Sequence, residues 1–406
     1  MNDRKAVSGS PPTQPLPPPP LLPTDRTVLG LAPEFARWQA EKPVVRVRLP
    51  DGNQPWLVTR YADARTVLAH PAFSADDTRP GFPGTRAKAR PRGPGQFQLM
   101  DAPDHTRLRR ALIPEFAHRR IQSLRGQLQR IADELIDAMT ADGTTDADLV
   151  AAYALPIPML TICRLLGVPY EDSAFFEAKY RVVTSLDTEP AEALAARGEL
   201  YGYLRELLDR RLSEPADDLV SRLAAREEIA PEEAVGMLSL VLAAGHDTTA
   251  NMLSMAVISL LRDPAGLAAL QADPARWPDA VEELLRQLSV IHAGLRRVAV
   301  EDTEVGGVLI RAGEGVVVSL QIANRDPAAF RGVTDTLDLA RGSRHHLAFG
   351  HGPHQCIGQS LARVELHAGL STLFRRLPGL RLAAPAESLE LSRSAVHGVR
   401  TLPVSW

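Results

Sequence analysis

A glycine-rich loop around one cysteine, near the C-terminal end of the chain, limits what this sequence can fold into more than any other stretch. It runs from Phe349 to Arg363 as Phe-Gly-His-Gly-Pro-His-Gln-Cys-Ile-Gly-Gln-Ser-Leu-Ala-Arg, and its cysteine is Cys356. Glycine allows positive φ and the close approach of another group. An apolar, helix-like run begins at Ile357. We therefore expect a helix whose N-terminal N–H groups point back at the sulfur and favour its thiolate.

Three other interpretations of this loop are open from its residues alone. A cysteine beside a helix is most often an inert buried thiol. The segment 358–362 resembles a nucleophile elbow but lacks the final glycine. A zinc cluster would combine Cys356 with nearby histidines, although the paired Cys-x-x-Cys knuckles of structural zinc do not occur in the sequence. Those histidines are His345, His346, His351 and His354.

The full spacing favours a fourth interpretation, because the loop resembles the haem-binding signature of the cytochrome P450 family. The matching pattern is Phe349-Gly350-x-Gly352-x-His354-x-Cys356-x-Gly358, and the trailing Leu361-Ala362-Arg363 is typical of bacterial members. The resemblance implies that Cys356 is the axial ligand of the iron of haem b, with Phe349 and Gly350 part of the cofactor-binding loop. A thiolate ligand donates electron density that favours O–O cleavage.

A second stretch with chemical meaning is the long apolar run 237–261, whose centre reads Ala-Gly-His-Asp-Thr-Thr-Ala-Asn from Ala244 to Asn251. Its length would suit a membrane span. Ionisable groups at the centre would be costly in lipid, however. The run therefore predicts a buried helix of a large soluble protein, and we interpret His246 within it as structural.

This run resembles the oxygen-activating helix of the same family. The resemblance implies that Gly245 permits close approach of haem and dioxygen, that Asp247 relays protons, and that Thr248 hydrogen-bonds the oxygen. A threonine can also bond back to the carbonyl four residues earlier and loosen a helix locally. The plainer alternative is that Thr248 does only this.

Cationic side chains at four positions are expected to bind the haem propionates. His105 and Arg109 are four residues apart and so share one face of a predicted helix. By resemblance to the family they bind propionates together with Arg297 and His354, since an anion site needs charged donors. The alternative for His105 and Arg109 is an ordinary basic helix start at the surface.

The sequence Val281-Glu-Glu-Leu-Leu-Arg286 resembles the Glu-x-x-Arg motif of the family. Glu283 and Arg286 can form an ion pair at this spacing. The resemblance implies that this pair holds the scaffold on the cysteine side, and we nominate Arg341 as its third partner.

The composition and the N-terminal residues limit the possible partners, the location of the protein and its domain boundaries. The net charge of −3 gives no reason to expect nucleic-acid binding. Of the two cysteines, Cys163 lies in an apolar helical pattern, so we expect no disulfide and a cytoplasmic protein. No signal peptide or apolar anchor is evident, so we expect no membrane attachment. The proline-rich residues 1–23 are predicted to be a disordered tail, followed by one haem-thiolate domain over residues 24–406.

The resemblance covers the chain from Val44 onward and implies a mainly α, single-domain fold with a minor β region and haem buried between the oxygen-activating helix and the cysteine loop. We expect a β-hairpin over 44–60, strands over 297–319 and a pair of helices covering the substrate over 171–213. Residues 71–100 are rich in proline and glycine and are expected to form a loop. In this family the corresponding region covers the substrate pocket.

The implied function is a monooxygenase that hydroxylates an unactivated C–H bond. The chain resembles actinomycete members that tailor secondary metabolites, which favours a macrolide or related polyketide in antibiotic biosynthesis. With no dinucleotide-binding loop or iron–sulfur cysteine set in the sequence, two electrons must come from outside the chain. The resemblance implies a ferredoxin and its NAD(P)H-dependent reductase as the partners. We expect a monomer. Epoxidation, oxidative coupling and a haem-binding module without oxygenase activity remain alternatives.

Overall fold

The computed structural model describes residues 19–21, 27–84, 92–184, 188–332, 334–392 and 396–406, and these ranges form a mainly helical protein with small sheets. The helices are α1 (Pro33–Glu41), α2 (Tyr61–Ala69), α3 (Asp104–Leu112), α4 (His118–Met139), α5 (Pro156–Leu166), α6 (Ser173–Thr184), α7 (Pro190–Ser213), α8 (Leu219–Ala224), α9 (Pro231–Leu261), α10 (Pro264–Ala272), α11 (Trp277–Leu288), α12 (Leu320–Ala323) and α13 (Gln359–Arg376). The strands are β1 (Val44–Arg46), β2 (Trp56–Val58), β3 (Phe73–Ser74), β4 (Asp146–Asp148), β5 (Leu295–Ala299), β6 (Thr303–Val305), β7 (Val308–Ile310), β8 (Gly315–Val318), β9 (Arg381–Leu382) and β10 (Pro403–Ser405). The predicted fold class is confirmed.

Helix α9 is the centre of the molecule and packs against α5, α7 and α13. It begins earlier than the apolar run predicted, because its first turn carries capping residues rather than apolar ones. The carboxylate of Glu233 accepts a hydrogen bond from the backbone N–H of Ala230 at 3.1 Å. It ends at Leu261, and the Asp263 side chain then accepts from the N–H of Gly266 at 3.0 Å to start α10.

The principal sheet has the strand order β1-β2-β8-β5-β3. Strands β1 and β2 form the predicted antiparallel hairpin, with Val45 opposite Leu57. The expected strands of the 297–319 region are β5 to β8, of which β5 and β8 pair antiparallel with Arg297 opposite Val316. This sheet sets the position of Arg297. A second sheet, β4-β10-β9, was not predicted.

Helices α6 and α7 pack against each other as the expected pair, and α7 also lies along α9. The loop predicted over 71–100 contains β3 and a short 3-10 turn, Phe97–Leu99, while its residues 85–91 lie outside the described residues. Backbone contact between this loop and α9 is close: a Cβ on Gly236 would lie 1.8 Å from the carbonyl oxygen of Pro94. Glycine is therefore required at position 236.

The predicted disordered tail, 1–23, lies mostly outside the described residues, but the prediction is wrong for residues 19–21. The backbone N–H of Leu21 donates to the carbonyl of Arg48 at 3.0 Å, and the N–H of Arg48 donates to Pro19 at 2.8 Å. Leu21 is buried in an apolar cluster with Phe35 and Trp38. Leu21, at the end of the proline-rich run, is thus packed into a hydrophobic core.

A buried ion-pair network on α11 matches the predicted scaffold. The Glu283 carboxylate accepts two hydrogen bonds from Arg286 at 2.8 Å, and both side chains are fully buried. Arg341 donates to the same carboxylate at 2.7 Å, so its nomination as the third partner is confirmed. Arg286 also donates to the carbonyls of Asn324 and Thr334. The network fixes the segment that leads into the cysteine loop.

No single helix within the described ranges is long and apolar enough to cross a membrane. Helices α9 and α10, bent by 103° relative to each other, satisfy that test together by length and composition.

Candidate functional site

The Cys356 loop is held by its own backbone and by the start of α13. The N–H of Cys356 donates to the carbonyl of Phe349 at 2.9 Å. Gly350 and Gly352 have φ of 71° and 73°, a region that favours glycine. At Gly352 a Cβ would also lie 2.6 Å from the carbonyl of Leu68. Glycine is thus required here by geometry, as the motif predicted.

Opposing effects act on the Cys356 thiol. Burial raises its pKa, while hydrogen bonds from the backbone of Gly358 and Gln359 and the charges of Arg109 and Arg363 lower it. The net direction is upward. The backbone N–H groups of Gly358 and Gln359 at the start of α13 act on the sulfur as expected, and the preference for the thiolate stays a prediction for the metal-bound site. A metal bound to the sulfur would supply the missing stabilisation, since metal binding releases the thiol proton.

An ion-pair cluster clamps the loop against α11. The Glu282 carboxylate accepts from Arg363 at 2.6 and 3.0 Å and lies 3.1 Å from Nε2 of His346. Burial alone would raise the pKa of Glu282, but the hydrogen bonds from His346 and Arg363 lower it to about 2. The Arg363 guanidinium also lies over the Phe349 ring, 4.6 Å from its centre. Phe349 is therefore fixed on one side of the cysteine loop.

The four residues predicted to hold propionates come together from three separate parts of the chain. The rings of His105 and His354 stack with their centres 4.0 Å apart. Arg109 donates from Nη2 to the carbonyl of Gln355 at 2.6 Å, directly before the cysteine. The charge of Arg297 lowers the pKa of both histidines. The structure thus places His105, Arg109, Arg297 and His354 in one cluster.

Several buried donors in this cluster have no partner. Nε2 of His105, Nη2 of Arg297 and Nδ1 of His354 have no hydrogen-bond partner among the described residues. Burial, followed by the charges of Arg297, His105 and Arg109, lowers the pKa of His354 to about 3. Burial and neighbouring arginines also lower the pKa of His105. The histidines are therefore neutral beside two guanidinium groups, and a charged role for them at the propionates stays a prediction. Unpaired buried donors of this kind fit a bound anion.

One stripe of α9 remains accessible although most of the helix is buried. Ala244 is exposed, and Leu240, Asp247 and Thr248 are half-buried. The Thr248 hydroxyl donates to the carbonyl of Ala244 at 2.7 Å, as predicted, and α9 is continuous through this turn. Asn251 donates to Oδ1 of Asp247 at 2.9 Å and to its carbonyl at 2.8 Å. Asp247 and Thr248 thus share a turn whose side chains are held by hydrogen bonds.

Gly245 has a different neighbour from the one predicted. A Cβ at this position would lie 2.7 Å from Cδ1 of Ile162, on α5. The small residue therefore permits close packing of α5 against α9. A contact of Gly245 with the cofactor stays a prediction. His246 is buried, and its ring packs edge-on against Tyr180. This contact agrees with a structural role for His246.

Within the described ranges, no group of three or more His, Cys, Asp or Glu side chains is arranged to hold a metal ion. His346 is paired with Glu282, and the His345 ring stacks on Phe330. His354 is stacked on His105. The zinc interpretation therefore has no support in this part of the chain.

Glu365, on α13, is a buried acid that the sequence analysis missed. It lies 3.4 Å from the hydroxyl of Thr249, the residue after Thr248. Burial raises its pKa to about 8, although hydrogen bonds from Thr161 and Thr249 act in the opposite direction. In sequence it is one polar residue on an amphipathic helix, and only the packing of α13 on α9 shows that it is enclosed.

We expect Glu365→Gln to reduce the loss of stability at alkaline pH. The carboxyl titrates near 4.5 when unfolded and near 8 in the folded protein. The folded state therefore retains a proton that the unfolded state has released, and stability falls as pH rises through this window. The loss is at most about 1.4 kcal/mol per pH unit. Urea unfolding at pH 5.5 and pH 8 measures it, with the exposed Glu390→Gln as control. An unchanged difference between the two pH values would contradict the shift.

Comparison with known proteins is consistent with this geometry. A model of the Cytochrome P450 family matches residues 278–379. The chain is 48% identical over 379 residues to Cytochrome P450-SU2 of Streptomyces griseolus, covering 92% of this chain and 93% of that protein. The structure of CYP105P1 in complex with filipin I is similar with a TM-score of 0.89 and 39% identity, over 96% of this chain and 99% of that one. MycCI from Micromonospora griseorubida, a mycinamicin VIII C21 methyl hydroxylase bound to mycinamicin VIII, gives a TM-score of 0.85 and 36% identity, over 94% and 98%.

The fold and the anion-binding cluster beside a loop cysteine define a protein that binds haem b. The chain belongs to the cytochrome P450 family and is a P450 monooxygenase.

Proposed function

We propose that this protein hydroxylates an unactivated C–H bond of a secondary metabolite, with a macrolide or related polyketide as the substrate class, in antibiotic biosynthesis. The observation that carries the proposal is the set of unpartnered donors on His105, Arg297 and His354 beside the Cys356 loop. Such a set is costly to keep unless an anion binds it. Epoxidation and oxidative coupling have no observation in their favour.

We assign the cofactor contacts residue by residue. Cys356 would hold the haem iron through its sulfur, and the amides of Gly358 and Gln359 would stabilise the thiolate charge. His105, Arg109, Arg297 and His354 hold the propionates. Phe349 and Gly350 form the wall of the loop, with Phe349 fixed by Arg363. When bound, haem supplies the iron at which dioxygen is activated.

Asp247 and Thr248 manage the protons. The Asp247 carboxylate is oriented by the Asn251 amide at 2.9 Å, and it lies on the accessible stripe of α9, where it can exchange protons with water. The Thr248 hydroxyl donates to Ala244 at 2.7 Å and so keeps its lone pairs for a second donor. The pair thus provides a proton route from water at Asp247 to the neighbouring Thr248 hydroxyl.

The substrate class rests on relatives and on the lining of the site. Two of the similar structures hold filipin I or mycinamicin VIII. The lining implied by resemblance comprises residues 240–244, 290–295 and 395–399, of which residue 395 lies outside the described residues. It includes two histidines, His292 and His397, with ring centres 5.7 Å apart. The lining is therefore not uniformly apolar.

Electrons come from a ferredoxin and its NAD(P)H-dependent reductase in the cytoplasm, and the enzyme acts as a monomer. The ferredoxin docks on the cysteine side. Beside α13, a surface cleft of about 150 Å³ is lined in part by Arg125, Arg344, Arg363 and His367. Arg125 and Arg344 are exposed. Asp279 and Glu282 pair with Arg344 and Arg363, so the net positive charge that the cleft presents to an acidic partner is carried by Arg125.

The test of the substrate class is a visible-absorption titration of the purified holoprotein with macrolides, terpenes and aromatic metabolites, including mycinamicin VIII and filipin I. A shift of the Soret band to high spin with macrolides alone supports the proposal, because it reports displacement of water from the iron. A shift with another class alone would overturn the macrolide assignment. Protein that stays colourless after haem is supplied would overturn the cofactor contacts as well.

We expect Thr248→Ala to separate electron consumption from product formation. The variant keeps the helix but loses the hydroxyl, so product per NAD(P)H falls by about tenfold or more, within the general range of acid–base effects, while peroxide release rises. Thr249→Ala is the matched control, because that hydroxyl faces Glu365 instead. Full coupling in Thr248→Ala would count against the proton relay.

A further inference from the structure

A tyrosine on α6 contacts the turn of α9 that carries Asp247 and Thr248. The hydroxyl of Tyr180 donates to the carbonyl of Ala243 at 2.7 Å. Its ring packs edge-on against the His246 ring, with centres 4.9 Å apart and an interplanar angle of 84°. Tyr180 is 6% exposed. Two elements that are far apart in sequence are thus joined at this turn.

The acceptor of this hydrogen bond belongs to the backbone of the relay turn. In an α-helix the carbonyl of residue 243 is the acceptor for the N–H of Asp247, four residues later. The next carbonyl, of Ala244, accepts from the Thr248 hydroxyl, and that of Asp247 accepts from Asn251. Of these three side-chain donors, two belong to α9 itself and Tyr180 comes from α6.

The chemistry of the contact favours a permanent donor. Burial and the nearby charge of Asp247 raise the pKa of Tyr180, and the charge of Arg197 on α7 acts in the opposite direction. The phenol is therefore protonated at neutral pH and is available as a donor. A movement of α6 that broke the bond would leave a buried polar group without its partner, which is costly.

We propose that Tyr180 is a positioning residue that couples the location of α6 to the geometry of the Asp247–Thr248 turn. Helix α6 belongs to the pair that is expected to cover the substrate. A substrate that fixes the position of α6 therefore also fixes the geometry of the Asp247–Thr248 turn. When α6 is displaced, the carbonyl of Ala243 loses a donor and the turn loosens. The inference rests on the proposed roles of Asp247 and Thr248, but its structural part does not.

The structural part is tested by hydrogen exchange, measured by mass spectrometry on the substrate-free holoprotein. Tyr180→Phe removes the hydroxyl and keeps the ring on His246. Loss of one buried hydrogen bond is expected to speed exchange of the amides at 243–248 by about tenfold. Tyr153→Phe is the matched control, since that buried hydroxyl donates to a helix carbonyl too, that of Gly369 on α13, at 2.8 Å. Unchanged exchange at 243–248 in Tyr180→Phe would overturn the inference.

The functional part is tested on the same proteins by the solvent deuterium isotope effect on peroxide release, with the two electrons that peroxide requires supplied by NAD(P)H through a ferredoxin and its reductase. We expect a change of about twofold or more in Tyr180→Phe, none in Tyr153→Phe, and little further change when Tyr180→Phe is added to Thr248→Ala. If Thr248→Ala alone leaves the isotope effect unchanged, the relay assignment fails, while hydrogen exchange still decides whether Tyr180 holds the turn. If adding Tyr180→Phe to Thr248→Ala changes the isotope effect as much as Tyr180→Phe does alone, the proposed coupling through this turn is wrong.

Discussion

We expect Cys356→Ala to abolish both the red-shifted carbon monoxide band of thiolate-ligated haem and all oxygenase activity. A thiolate ligand donates electron density to the iron that favours O–O cleavage, and alanine has no group that can replace it. Alanine leaves the loop backbone intact, because the N–H of residue 356 still reaches the carbonyl of Phe349. Haem can still be held by its propionates through Arg109 and Arg297. The variant should therefore bind haem weakly and with an altered spectrum.

The chain provides a matched control in its other cysteine. Cys163 is buried in α5, and its sulfur lies 3.9 Å from that of Met159. Burial raises the pKa of Cys163 to about 12, which leaves it an inert thiol. We expect Cys163→Ala to keep the carbon monoxide spectrum and to lose about 1 kcal/mol of stability. A Cys356→Ala protein with the wild-type spectrum would disprove the ligand assignment.

Features that depend on local spacing were predictable from the sequence. The backbone around Cys356 has positive φ or a close approach at its glycine positions. The glycines that satisfy these constraints can be read directly from the sequence. The i,i+3 spacing of Glu283 and Arg286 and the i,i+4 spacing of His105 and Arg109 follow from helix geometry alone. For the same reason the hydrogen bond from Thr248 to Ala244 was expected and is present.

Features that depend on packing between distant segments were not predictable. Burial of Glu365 results from the contact of α13 with α9, and the sheet formed by β4, β9 and β10 joins residues far apart in the chain. The neutral state of His105 and His354 results from burial beside two arginines. The packing of Gly245 was not predictable either, because its neighbour Ile162 comes from another helix. Residue types at these positions carry no local signal of their environment.

The second large effect is expected from Glu283→Gln, which would destabilise the whole protein rather than the chemistry. Glu283 is fully buried and accepts from Arg286, from Arg341 and from the backbone N–H of Asp338. The amide keeps the shape of the side chain but leaves the buried Arg286 guanidinium without the carboxylate it pairs with, and Arg341 loses its 2.7 Å contact while keeping Asp338 at 3.8 Å. Removing one partner of a buried ion pair costs about 3–5 kcal/mol. That is a large fraction of the roughly 5–15 kcal/mol that stabilises a folded protein.

Urea unfolding followed by circular dichroism and by the Soret band measures this cost and its effect on haem retention together. Asp279→Asn, on the same helix, is the control, because Asp279 pairs with Arg344 at the surface at 2.9 Å. Exposed pairs contribute about 0–1 kcal/mol, so this variant should unfold nearly as the wild type does. Haem should leave the Glu283→Gln protein at lower urea, since Arg286 also holds the carbonyls of Asn324 and Thr334 ahead of the cysteine loop. An unfolding midpoint equal to that of Asp279→Asn would show that the network does not hold the scaffold.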